Sequence, residues 1–249
     1  MKINKIFFTF FLTALFSCSN NDEVSLDIFA DQSDVFESGK SLISLTFGLH
    51  ELEDKSTSQK ELLIGIHGGR SRGYEWIYPL QTLDQEINQI SFFRWDDTKC
   101  PDSSIFSLFK LIKTKLVEEP NLESIILIGH SYGALLATMF IEKWDLAIPL
   151  EVHSIAGPLK GIDALSKLCN FKIPKDLKVG IDLYEWRTIQ ELDGAFREFE
   201  FDPQNVEIKG SQVTRLPETY KGNKLGHNWS VSWVADEISQ AEYALSRNK

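Results

Sequence analysis

Three observations predict an α/β domain built on a mostly parallel central sheet with helices on both faces. First, the runs 62–67, 90–95 and 125–128 are almost continuously apolar, as strands buried on both sides must be. Second, stretches of helical character separate them, most plainly 104–118, where Phe106, Phe109, Ile112, Leu116 and Val117 recur every three to four residues. A strand–helix–strand alternation of this kind implies parallel neighbours joined by crossovers. Third, the buried run Ile125–Ile128 passes into a small-residue helix through only Gly129-His130-Ser131-Tyr132-Gly133.

Taken in order, Leu42–Phe47 is expected as an early strand, and the polar run Glu51–Lys60 as the loop of a hairpin entry. Leu62–His67 is the next strand and runs directly into Gly68-Gly69-Arg70-Ser71-Arg72-Gly73. Tyr74, Trp76 and Tyr78 mark a following helix. Ile90–Trp95 is a third strand, ended by the polar loop Asp96–Pro101, and Pro120-Asn121 stops the helix 104–118. After the Ser131 turn come a strand at 150–156 holding His153, a short excursion at 159–174 with a helix at 162–168, and a strand at 177–186. Val206–Lys209 is expected as the last strand, a polar loop follows through Lys224, and a terminal helix covers 231–245.

A serine on a one-residue turn between strand and helix has a strained backbone, and the residues two before and two after it must be small. Gly129 and Gly133 meet that need, and the first amides of the helix then point at whatever the hydroxyl attacks. In this motif and its context the chain resembles the α/β-hydrolase superfamily, whose nucleophile elbow is Gly-x-Ser-x-Gly. The likeness runs from about Leu62 to the C terminus, and it implies an α/β-hydrolase fold with at most a small cap over 159–174. It also implies that the His67-Gly68-Gly69 loop lends an amide to an oxyanion hole, from Gly69 or Arg70, together with Tyr132 after the nucleophile. His67 and Gly68 then shape the loop. The general base is the histidine between the last strand and the last helix, His227, and the acid belongs to the loop after the strand ending at Trp186. Asp193 is the choice there, with Glu191, Asp202 and Glu207 as competitors. Asp182 lies within the strand.

The N terminus has a composition of its own. Lys2 and Lys5 precede an eleven-residue apolar run, Ile6–Phe16, which is short for a membrane span and suits a signal-peptide core. Leu15-Phe16-Ser17-Cys18 resembles a bacterial lipobox, which implies a signal peptide over 1–17 and a lipid on Cys18. Residues 18–41 then form a lipidated, flexible tether, and 42–249 the domain. An ordinary secretory signal and a soluble secreted product are the alternative. In an oxidising compartment the remaining cysteines, Cys100 and Cys169, can pair, which geometry decides.

Acidic residues outnumber basic ones by 36 to 26, for a formal charge of −10, which argues against a nucleic-acid partner. The expected partners are a small-molecule acyl substrate and, through the lipid, a membrane. The expected activity is cleavage of a carboxylic ester or thioester through an acyl-enzyme on Ser131, a chemistry that calls for no metal or organic cofactor. The other reading is a non-catalytic, membrane-anchored binding lipoprotein that keeps the hydrolase fold.

Overall fold

Alternating side chains of the strands are buried on opposite faces, and this sets the layers of the domain. The structure is a computed structural model that describes residues 24–31, 34–161, 169 and 171–246. The expected signal peptide over 1–17, Cys18 and the expected helix 162–168 lie outside the described residues. The strands are β1 (Gly48–Glu51), β2 (Glu61–Ile66), β3 (Asn88–Arg94), β4 (Ser124–His130), β5 (Leu150–Ile155), β6 (Ile181–Arg187) and β7 (Gln212–Arg215). They form one seven-stranded sheet in the order β1-β3-β2-β4-β5-β6-β7, antiparallel only where β1 meets β3.

The described helices are α1 (Leu26–Asp31), α2 (Val35–Ser44), α3 (Tyr74–Thr82), α4 (Pro101–Glu118), α5 (Tyr132–Phe140) and α6 (Trp229–Ser246). Leu62, Ile64, Ile66, Ile125 and Leu127 pack with Leu108, Ile112 and Phe140 of α4 and α5. Their neighbours Leu63, Ile126 and Ile128 pack with Leu42, Trp76, Leu80 and Val234 of α2, α3 and α6. The helices thus cover both faces, and the parallel strands send their C-terminal ends, with the loops that follow, to one edge.

Four expectations are corrected. Within the segment expected as a tether, Leu26–Asp31 is a helix and a second one starts at Val35, and Leu26 and Phe29 are buried in the core. Where a strand is expected at 42–47, α2 runs on to Ser44 and residues 45–47 lead into β1, because Ser38, Gly39 and Leu42 make a helical stripe against the core and Asp34 Oδ1 caps the Phe36 amide at 2.9 Å. The strand expected from Leu177 begins at Ile181, after a turn in which Gly180 has φ 83°. The last strand is not Val206–Lys209, where Lys209 makes one isolated bridge to Asp176, but the solvent-exposed edge strand β7. A short hairpin, β8 (Thr219–Tyr220) and β9 (Asn223–Lys224), follows it. Cys100 and Cys169 are joined in a disulfide with Cα atoms 5.4 Å apart, which ties the start of α4 to the 159–174 excursion.

Candidate active site

Ser131 has φ 56° and ψ −118°, a backbone conformation outside the regions comfortable for a residue with a side chain. The neighbouring glycines make it possible. A Cβ on Gly129 would lie 2.4 Å from the Gly133 carbonyl oxygen, and one on Gly133 would lie 2.3 Å from that of Ile66. The turn is fastened by the Ser131 amide, which donates to Ile155 O at 2.8 Å, while Ser131 O accepts the Ala134 amide at 3.0 Å. Tyr132 is the first residue of α5, so its N–H has no acceptor within the helix.

The loop after β2 approaches from the other side. A Cβ on Gly68 would come within 3.0 Å of the Ser131 Cβ. His67 is engaged at both ring nitrogens: Nδ1–H donates to Gly68 O at 2.8 Å, and Nε2 accepts from Arg94 Nη1 at 2.9 Å and the Trp95 amide at 3.2 Å. Trp95 Nε1 also donates to His67 O at 2.9 Å, so this side chain braces loop and sheet together. Arg70 is the residue that departs from expectation. Its φ is 56° and its amide donates to Asp97 Oδ2 at 2.5 Å, which removes it as a free oxyanion donor. The Gly69 amide, by contrast, meets no acceptor among the described residues.

Ser131 and His227 line one small cleft of about 100 Å3 together with Gly68, Gly69 and Asn228. His227 sits just before α6, and its Nδ1–H donates to Asp193 Oδ2 at 2.9 Å. That bond leaves Nε2 as the unprotonated nitrogen of the ring. Asp193 is fully buried, and every neighbour it has is a donor: Thr188 Oγ1 reaches Oδ2 at 2.5 Å and the Ala195 amide reaches Oδ1 at 2.8 Å. Burial pushes its carboxyl up, but the His227 bond and charge, with Thr188 and Ala195, outweigh this and hold it below the usual aspartate value. Of the competing acids, Glu191 and Glu207 are exposed. Asp202 is held by Gln204 and Arg215, each at 3.0 Å, away from the histidine.

Two supports carry no signal in the sequence motifs. Gln204 clamps the Thr188 backbone by accepting its amide at 2.8 Å and donating to its carbonyl at 3.0 Å, which holds the residue beside Asp193. His130, the variable residue of the elbow, is buried and donates from Nε2 to His227 O at 3.1 Å, with the two rings 4.6 Å apart. Its Nδ1 finds no partner among the described residues.

Burial, with the charge of His227, lowers the His130 pKa to about 3, and burial with the charge of Arg94 lowers that of His67 to about 4. Both titrate near 6.5 in the unfolded chain, so their contribution to stability is fully present above that pH. It is lost as the pH falls from there towards 4 and 3, because only the unfolded chain takes up the protons. Each adds up to about 1.4 kcal/mol per pH unit to the slope of stability against pH in that window. Urea unfolding between pH 6 and 5 should show this slope reduced by one proton in His130→Asn; an unchanged slope would remove His130 from the account.

Solved structures of low sequence similarity share this architecture. Est1E from Butyrivibrio proteoclasticus superposes with a TM-score of 0.54 at 12% identity, over 79% of this chain and 92% of its own. A lipase-esterase related protein from Clostridium acetobutylicum gives 0.51 at 13% identity, over 79% and 98%. An α/β serine hydrolase without a lid, from Xanthomonas campestris, gives 0.50 at 13% identity, over 77% and 85%. No protein-family model matches the chain, and no curated protein matches it in sequence. At these identities the likeness is one of fold, and the fold is that of the α/β hydrolases.

Proposed function

We propose that this protein is a serine hydrolase that cleaves a carboxylic ester or thioester, with Ser131 as nucleophile, His227 as general base and Asp193 as the acid that orients it. The observation that carries the reading is the Asp193–His227 bond of 2.9 Å at a cleft that Ser131 shares on its strained turn. With Nδ1–H committed to Asp193, His227 Nε2 takes the Ser131 proton as Oγ attacks the acyl carbon. The carbonyl π electrons move to oxygen, where the amides of Tyr132 and Gly69 receive the negative charge; one such donor is worth about 2.7 to 4 kcal/mol in the transition state. Collapse expels the alcohol or thiol, which takes the proton from His227. Water, activated by the same nitrogen, then releases the acid from the acyl-enzyme. The non-catalytic alternative gains weight only if the acid fails to reach His227, and the short Asp193–His227 bond counts against it.

Hydrolysis of p-nitrophenyl acetate tests the reading. The expected result is a burst of p-nitrophenol equal to the enzyme concentration, followed by slower turnover. Release no faster than in buffer would overturn it.

The proposed location is a bacterial membrane, through lipid on Cys18 after removal of residues 1–17. The motif Leu15–Cys18 supports this, and among the described residues no helix is long and apolar enough to cross a membrane. Several acyl chains would anchor the protein firmly, at about 0.8 kcal/mol per buried methylene. Expressed at full length in a bacterium, the protein is expected in the membrane pellet and Cys18→Ala in the uncleaved precursor or the soluble fraction. Equal migration and equal lipid labelling of the two would contradict the lipid anchor.

A further inference from the structure

Beside the Ser131 cleft runs a groove of about 540 Å3, walled by the starts of α2, α3 and α6 and ended by the β8–β9 hairpin. Tyr74, Glu75 and Asn228 border both spaces, so the two adjoin, with the Asn228–Tyr74 hydrogen bond of 2.8 Å at their boundary. Size separates their uses. A closed apolar cavity of about 150 Å3 holds a benzene ring, and the cleft, at about 100 Å3, is smaller and suits a short arm of an ester. The groove has room for a ring and more.

The chemistry of the walls points the same way. The aromatic side chains Phe36, Tyr74, Tyr78, Tyr220 and Trp229 line it, and the three tyrosine hydroxyls are already engaged. Tyr78 and Tyr220 each donate to Asp236 at 2.6 Å, and Tyr74 Oη accepts from Asn228 at 2.8 Å, so the rings offer their apolar faces. Val35, Phe36, Tyr78 and Trp229 are between 40% and 56% exposed, a concentration of apolar surface that a solitary folded chain has no reason to gather. Charge narrows the ligand further. Lys221 lies 4.4 and 4.7 Å from the Tyr78 and Tyr220 ring centres, taking the positions a cationic ligand would use. The buried Glu75, whose Oε2 has no partner among the described residues, makes the seam unfavourable for an anion. The wall from α2 is fixed, because Gly39 seats that helix so closely that a Cβ there would lie 2.3 Å from the Tyr74 amide nitrogen.

We propose that the groove is the specificity subsite for an uncharged, ring-bearing arm of the substrate ester, with the short arm held in the Ser131 cleft. This rests on the hydrolase reading above. It makes the N-terminal helix α2 part of the substrate site.

The test compares kcat/KM for ethyl acetate, phenethyl acetate and methyl 3-phenylpropanoate in wild type, Ser232→Trp, which fills the groove from α6, and Phe36→Ala, which removes an exposed ring from its wall. For one of the two aromatic esters, the ratio of kcat/KM to that for ethyl acetate is expected to fall at least about tenfold in Ser232→Trp and to fall, mainly through KM, in Phe36→Ala. Loss on phenethyl acetate places the ring in the alcohol arm, and loss on methyl 3-phenylpropanoate places it in the acyl arm. Ratios that stay within about twofold of wild type in both variants would overturn the subsite, given Ser131 that still reacts with a small fluorophosphonate. Failure of wild-type Ser131 to react would instead overturn the hydrolase reading itself.

Discussion

Ser131→Ala is expected to lower kcat for p-nitrophenyl acetate by at least about 10⁴-fold and to abolish the burst, because Ser131 is the proposed nucleophile, and Ser71, the other serine at the cleft, is bound to Glu75. The substitution removes one oxygen from a turn that Gly129 and Gly133 hold open, and alanine keeps the Cβ that the turn already accommodates. Thermal unfolding should therefore shift little, so the loss reads as chemistry. Residual hydrolysis near the wild-type rate, in a protein that unfolds at the same temperature, would assign the activity to a different residue.

Asp193→Asn is the second large effect, with an expected loss in kcat of about 10⁴-fold. Asp193 Oδ1 accepts the Ala195 amide and Oδ2 accepts both His227 Nδ1 and Thr188 Oγ1, so an amide group on either side sets donor against donor. The Ala195 amide cannot turn away, whereas the Thr188 hydroxyl can swing to Gln204 Oε1, 3.1 Å distant. Asparagine therefore keeps its oxygen on Ala195 and presents NH2 to His227. The imidazole must then accept at Nδ1 and carry its proton on Nε2, where it cannot take one from Ser131. A change of less than about tenfold, with folding intact, would show that Asp193 does not set the tautomer.

The parts of this site differ in how they can be read from sequence, and the reasons are physical. Strands such as Ile125–Ile128 declare themselves because burial on both faces leaves no polar positions, and the elbow declares itself because two glycines are sterically obligatory. Asp193 and His227 follow from their places after β6 and before α6. The N-terminal helices hide behind polar composition, since α2 buries only a narrow stripe at Ser38, Gly39 and Leu42. Strand β7 hides for a related reason: all four of its residues are exposed, so it lacks the apolar signal of a sheet member. The Gln204 clamp on Thr188 and the Asp97 bond to the Arg70 amide join residues 16 and 27 positions apart, and only the folded chain brings them together.

In the proposed triad the chain order is Ser131, Asp193, His227. Each functional side chain stands at the C-terminal edge of the sheet, where the strands deliver loops and where α5 aims its first amides. The buried supports, His67 under the oxyanion loop and His130 under His227, hold the two flanks of the cleft through neutral imidazoles. His67 is engaged at both ring nitrogens and His130 is tied to the His227 carbonyl, whereas His227 is held at Nδ1 by Asp193.

The most direct test of the central claim is reaction of the folded protein with a fluorophosphonate, with the adduct located by peptide mass in wild type, Ser131→Ala and His227→Ala. The account predicts a single adduct on Ser131, absent in the first variant and formed far more slowly in the second. An unreactive Ser131 in folded wild-type protein, or a rate untouched by removal of His227, would contradict it.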